Sequence, residues 1–231
     1  MVERGFIITI DGPAGVGKTT LARRLAAHLN IAYLDTGAMF RAVAWKLGQD
    51  GWLKDEQTLA CELKRMSFTL TGQGEESSVC LNGKALGPEI RTETIGLWAS
   101  NVAKLRVVRD FLKKAQQEIG RQTSLVAEGR DMGTVVFPHA RYKFFLDASA
   151  QVRARRRYLQ ILDLDEDDPE AQGIEDSPEL KTILEQIKQR DEQDRNRAIA
   201  PLRPAKDAIV IDTSDLTLDE VFLLMKNYLN L

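Results

Sequence analysis

Gly12, Pro13, Ala14, Gly15, Val16, Gly17, Lys18 and Thr19 follow an apolar run, Phe6 to Ile10, and open a segment of helical period, Lys18 to Leu29. Strand, glycine-rich turn, helix is an order few folds provide. The spacing is G-x-x-x-x-G-K-[ST], in which glycines let successive backbone N–H groups turn inward at the positive end of a helix dipole. Lys18 can then reach β- and γ-phosphates, and the Thr19 hydroxyl can ligate Mg²⁺, with Thr20 one position behind. A plain strand-to-helix turn would need none of this pattern. The motif points to an ATP- or GTP-binding domain.

The rest of the chain agrees with that start. Phe6 to Ile10, Ile31 to Leu34, Ser124 to Ala127, Tyr142 to Leu146 and Ala208 to Ile211 read as buried strands. Segments of helical period separate them: Lys18 to Leu29, Ala38 to Leu47, Glu56 to Lys64, Thr92 to Ile119, Gln151 to Leu162, Pro178 to Gln193 and Leu218 to Tyr228. The class is α/β, a parallel five-stranded sheet flanked by helices. Two stretches break the rhythm. Residues 67–85, with Asn82-Gly83 as a turn signal, read as a small antiparallel β insert, and the acidic stretch Asp163 to Glu179 reads as a mobile, solvated loop. A length of 231 residues fits one core domain carrying such insertions.

Composition removes several classes. With 32 Lys plus Arg against 34 Asp plus Glu, there is no basic excess for a nucleic-acid polymer or an anionic membrane. No apolar run approaches the ~20 residues a bilayer helix requires, and no secretory signal is expected at the N-terminus. Two cysteines and two histidines supply neither a disulfide framework nor a zinc cluster, so a reducing cytoplasm is the expected setting. No Asn-Lys-x-Asp element for guanine is present, and a small phosphotransferase suits the length better than a motor.

Candidate acceptor groups follow the strands. In a doubly wound sheet, the carboxyl ends of the strands share one crevice. Asp35-Thr36-Gly-Ala-Met-Phe40-Arg41 and Glu128-Gly-Arg130-Asp131-Met-Gly-Thr134 both open there. Arg41 can fork onto a phosphate, and the Arg130-Asp131 pair offers donors for phosphate or a base carbonyl and acceptors for an exocyclic amine. Arg153, Arg155, Arg156 and Arg157, with Arg190 through Arg197, look like a helical lid carrying cations to a transferring phosphoryl group.

At this point the chain resembles the bacterial cytidylate kinases, nucleoside monophosphate kinases for CMP and dCMP. The likeness rests on residues 8–19 and 34–41, Ile90-Arg-Thr92, residues 128–138, and Arg190-Asp through Asp194-Arg-Asn-Arg197 to Ala200-Pro201, in family order over nearly the whole chain. It implies a P-loop NTPase-type core at 1–40, 86–150 and 198–231. It also implies an NMP-binding insert at 41–85, reaching to about residue 110, and a lid at 151–197.

The resemblance implies ATP as donor, Mg²⁺, CMP or dCMP as acceptor, and a monomer. Thr36, Phe40, Arg41, Ser100, Arg109, Arg130, Asp131, Arg190, Asp194 and Arg197 then bind the monophosphate. Of these, Ser100, Arg109 and Asp131 read cytosine, Arg41, Arg130 and Arg190 clamp the phosphate, and Asp194 and Arg197 hold the ribose. Arg153, Arg156 and Arg157 cover the ATP phosphates, and Lys18, Arg130, Arg157 and Arg190 carry the catalysis. The chain departs from the family at Phe40, where tyrosine is common, at Gln193, where arginine is common, and at Glu128, where many members have aspartate. Its acidic loop is also long. A UMP/CMP or shikimate-type kinase is the second enzyme reading, and a non-catalytic nucleotide-dependent module the third.

Overall fold

The computed structural model describes residues 6–164 and 168–229. Five strands, β1 (Ile7–Asp11), β2 (Ala32–Asp35), β6 (Leu125–Gly129), β7 (Tyr142–Asp147) and β8 (Ile209–Asp212), form one sheet. A small second sheet holds β3 (Phe68–Thr71), β4 (Ser78–Leu81) and β5 (Lys84–Ala85). The helices are α1 (Lys18–Leu29), α2 (Thr36–Leu47), α3 (Glu56–Leu63), α4 (Glu93–Val102), α5 (Arg106–Gln122), α6 (Ala150–Leu162), α7 (Pro178–Asn196) and α8 (Leu218–Leu229).

The large sheet runs β2-β6-β1-β7-β8, every neighbour parallel. Its strands alternate between two cores, which is why they read as continuous apolar runs. Ile8, Ile10, Tyr33 and Val126 pack with α1 and α8 through Leu21, Leu25, Val221 and Met225. Leu34, Leu125 and Ala127 face the other way, onto Met39, Val43, Val108 and Leu112 of α2 and α5. In register, Asp11 pairs with Gly129 and Asp35 with Glu128, so four acidic or turn-forming residues end in one row. That row is the floor of the site.

The expected β insert is present. Asn82 and Gly83 both have positive φ, +51° and +78°, as a two-residue hairpin with matched twist requires. Its Phe68, Val79 and Leu81 join the same core as α2 and α5. The loop at Gly74 lies on α1, with the Gly74 N–H donating to the Ile31 carbonyl at 2.8 Å.

Two expectations are corrected. The single helix expected from Thr92 to Ile119 is two, α4 and α5, separated at Ala103 to Leu105. Val102 and Val108 are fully buried on the two sides of that turn, so tertiary packing decides a break that no glycine or proline announces. The acidic stretch, of which 165–167 lie outside the described residues, is pinned elsewhere rather than solvated along its length. Arg155 donates to the Ala171 carbonyl (3.0 Å) and to Glu175 (2.6 Å), and Ala171 is fully buried. Among the described residues no helix is long and apolar enough to cross a membrane.

Candidate active site

The phosphate loop leaves β1 through Gly12, where a Cβ would stand 2.1 Å from the Leu146 carbonyl oxygen. Gly17 caps α1 at φ +83° and provides no side-chain acceptor, so the first N–H groups of the helix await an anion. Lys18 is buried, its ammonium donating to the Pro13 carbonyl at 2.6 Å. Burial, and then the Arg130 and Arg190 cations, push its pKa down to about 7, against the pull of Glu128. A cation so crowded by other cations is matched to phosphate.

Thr19 is exposed, and its hydroxyl donates to the Glu128 carboxylate at 2.9 and 3.0 Å. The Tyr33 hydroxyl donates to the same carboxylate. Burial and the neighbouring Asp35 charge push Glu128 up, while Lys18 and the two hydroxyls oppose them. Thr36 donates to the Glu128 backbone carbonyl at 2.6 Å, fastening the start of α2 to β6. Tyr33→Phe removes one bond to a buried acid, and the unfolding free energy is expected to fall by about 1.5–3 kcal/mol. Urea titration checks it.

Asp11 aims its carboxylate across the sheet. It accepts from the Met132 and Gly133 amides at 2.9 and 2.8 Å, and those amides open a π-helical turn, Met132–Val136. Burial outweighs both bonds and pushes Asp11 up to about 6. Asp11 thereby fixes the turn that presents Arg130 and Asp131.

From that turn runs a chain of alternating charge. Arg109 donates to Asp131 at 2.5 Å, Arg197 reaches the other Asp131 oxygen at 3.4 Å, and Arg130 donates to Asp194 at 2.9 Å. Arg197 also lies 3.7 Å from Asp194. Asp131 is 3% exposed and Arg109 7%, so the pair is a desolvated one. The Arg109 guanidinium stacks 5.5 Å from the Phe40 ring centre. Phe40 thus serves here through its face, which needs no hydroxyl.

Beside this chain stand cations with poorer balance. Arg190 has a buried Nε without a hydrogen-bond partner, and burial and Arg130 push its pKa down to about 10. Arg41 donates to the Ile90 and Thr92 carbonyls at 3.1 and 3.0 Å, and it is pushed down by burial, then by Arg91 and Arg157. An anion among Lys18, Arg41, Arg130 and Arg190 would relieve all four.

Not every expected residue reaches this crevice freely. Arg153, expected over the ATP phosphates, is 2% exposed and committed to Ala14, Ala148 and Asp191. Arg156 donates to the Thr213 and Leu216 carbonyls at 2.7 and 3.1 Å. Arg157 is exposed, with Glu93 at 3.8 Å. The Ser100 hydroxyl donates to the Gly96 carbonyl one turn back, at 3.2 Å, and among the described residues no hydrogen bond joins it to Arg109 or Asp131. Sequence reasoning missed Asp11, Tyr33, Asp191 and the Arg91–Asp35 ion pair at 2.7 Å. For Asp11 a signal existed: a carboxylate ending a buried apolar strand must find donors.

The comparisons with known proteins accord with this geometry. A family model described as cytidylate kinase matches residues 8–230. A cytidylate kinase from Maridesulfovibrio salexigens is 55% identical over 221 residues, covering 96% of this chain and 95% of that one. One from Nitratidesulfovibrio vulgaris is 56% identical over 216 residues, covering 94% and 89%. One from Lawsonia intracellularis is 45% identical over 230 residues, covering 100% and 98%. With the phosphate loop, the arginine-lined crevice and full-length likeness all in agreement, the chain belongs to the cytidylate kinase family.

Proposed function

We propose that this chain transfers the γ-phosphoryl group of ATP to CMP or dCMP, giving ADP and CDP or dCDP. The buried Asp131 carboxylate, held by Arg109 and Arg197 beside the cation cluster, carries this reading. A carboxylate only accepts, so it suits the N4 amino group of cytosine and repels the O4 carbonyl of uracil. Arg109 and Arg197, donating to its two oxygens, keep it aimed.

The acceptor phosphate is its own nucleophile, since the second pKa of a phosphomonoester is about 6. No general base is needed. Arg41, Arg130 and Arg190 would align that phosphate, while Lys18 and the loop amides hold the donor and take up charge as the phosphoryl group moves. Arg157, exposed on α6 and no nearer than 3.8 Å to Glu93, would be the arginine of that helix to reach the transferring group. The hydroxyl of Thr19 and the oxygens of Glu128 fit a hard divalent cation. Among the described residues no cluster of three or more His, Cys, Asp or Glu stands ready to ligate one, so phosphates and water would supply the remaining oxygens, as Mg²⁺ prefers. When bound, Mg²⁺ neutralises donor phosphate charge.

In this reading residues 1–40, 86–150 and 198–231 are the core, 41–85 with the following helix form the monophosphate side, and 151–197 are the lid of a cytoplasmic monomer. ADP release measured with CMP, dCMP, UMP, AMP and shikimate in turn tests it. CMP and dCMP are expected to exceed the others by at least about 100-fold in kcat/KM, a discrimination of a few kcal/mol in one desolvated contact. ADP release no faster with CMP than without an acceptor would overturn the reading.

A further inference from the structure

Among the described residues Arg153 is one of the largest side chains with almost no exposure, at 2%, and although it stands on α6 its bonds reach well beyond that helix. Its Nε donates to the Ala148 carbonyl at 3.0 Å. One terminal nitrogen donates to the Ala14 carbonyl and to Asp191, both at 3.1 Å, and the other donates to the second Asp191 oxygen. Four of five guanidinium N–H groups are thereby spent, so little is left for a phosphate. A buried guanidinium is costly unless paired and bonded, and here the bonds join three segments: the phosphate loop, the start of the lid and α7.

Each contact sits next to a working group. The Ala14 carbonyl and the Gly15 N–H belong to one planar trans peptide and point in opposite directions. Turning the carbonyl onto Arg153 turns the N–H away from Arg153. Gly15 is at φ +85°, and a Cβ there would press the Arg153 Cβ at 3.2 Å. On the far side, Asp191 directly follows Arg190 and precedes Asp194 by three residues on α7, so fixing Asp191 fixes the rotation of that face. Arg190 needs such a tie. Arg130 repels it, and its Nε has no partner.

We infer that Arg153 and Asp191 are positioning residues that couple the two substrate sites: phosphates drawn onto the Gly15 amide set Ala14, Arg153 and Asp191, and hence Arg190 and Asp194, for the acceptor. The inference rests on the kinase reading above. By linkage, the acceptor then tightens the donor by the same factor. Neither residue touches substrate; both act through the groups beside them.

Calorimetric titration tests this, with the β,γ-imido analogue of ATP plus Mg²⁺ added to the full chain, alone and with saturating CMP. The ratio of the two dissociation constants is the coupling factor. For the wild type it is expected to be on the order of 5–50. Asp191→Asn and Arg153→Lys are expected to bring it within about twofold of one, and to lower kcat about 10- to 100-fold while KM for CMP moves less. Asp191→Glu, which keeps a carboxylate, is expected to recover part of it.

A wild-type factor of one, or variants that melt lower yet keep the wild-type factor, would overturn the inference. Hydrogen exchange on the wild type needs no variant to fold. The ATP analogue alone is expected to slow exchange in α7 between residues 187 and 196, and an unchanged rate there also overturns it. CMP phosphorylation by the same wild-type preparation separates the two claims: an active enzyme with uncoupled ligands sinks only the strut, and a chain that ignores CMP sinks both.

Discussion

Lys18→Met is expected to lower turnover about 10³-fold, the scale for losing one charge-stabilising donor at a transferring group, and also to stabilise the ligand-free fold. Both effects have one cause. Lys18 is 7% exposed and surrounded by Arg130 and Arg190, which with burial push its pKa down from 10.5 to about 7. Below pH 7 the ammonium is charged in the folded and unfolded chain alike, and the full penalty of burying it applies. Between pH 7 and 10.5 the unfolded chain holds the proton that the folded chain has released, so stability rises with pH across that window. Methionine removes both the penalty and the slope. At pH 6.5 the variant is expected to be more stable by on the order of 2–4 kcal/mol, and at pH 9.5 by much less. Urea unfolding at the two pH values gives the comparison. Equal slopes for variant and wild type would show that the ammonium is not buried among cations, and retained turnover would remove Lys18 from the chemistry.

The same residue shows how far the sequence reaches. Lys18 was legible because its motif is local: strand, glycines and helix are contiguous. The five strands of the large sheet were legible for a similar reason, since burial on both faces makes each a continuous apolar run. Arg153 was legible as a lid arginine but not as a strut, because its partners Ala14 and Asp191 lie 139 and 38 residues away. Tyr33 looked like a core residue of a strand, and nothing nearby shows that its hydroxyl meets Glu128, 95 residues on. Asp191 was hidden in a charge run, where one carboxylate reads like the next. The turn between α4 and α5 had no glycine or proline to mark it. These failures share a form: a local pattern identifies a residue type's potential, and long-range packing decides which partner uses it.

Asp131 is the place where such packing carries the greatest cost, and its variants separate fold from recognition. Asp131→Ala leaves Arg109 and Arg197, whose side chains are 8% and 10% exposed, facing each other without their shared counter-charge. Removing one partner of a buried ion pair costs about 3–5 kcal/mol, so this variant is expected to unfold at clearly lower urea. Its loss of activity would therefore say little about cytosine. Asp131→Asn keeps the shape and one acceptor oxygen, trades the charge for an N–H donor, and is expected to be destabilised less. Toward CMP it can no longer offer two acceptors held in place by arginines, and KM is expected to rise about 100-fold, with KM for ATP within about twofold of wild type. Toward UMP the exchange works the other way, because an amide N–H can donate to the O4 carbonyl that a carboxylate repels. The ratio of kcat/KM for CMP over UMP is accordingly expected to fall by about 100-fold or more. That ratio is insensitive to the amount of folded enzyme, which cancels between the two substrates. A ratio that stays at its wild-type value while the fold weakens would assign Asp131 to the charge chain alone and move base selection elsewhere in the crevice.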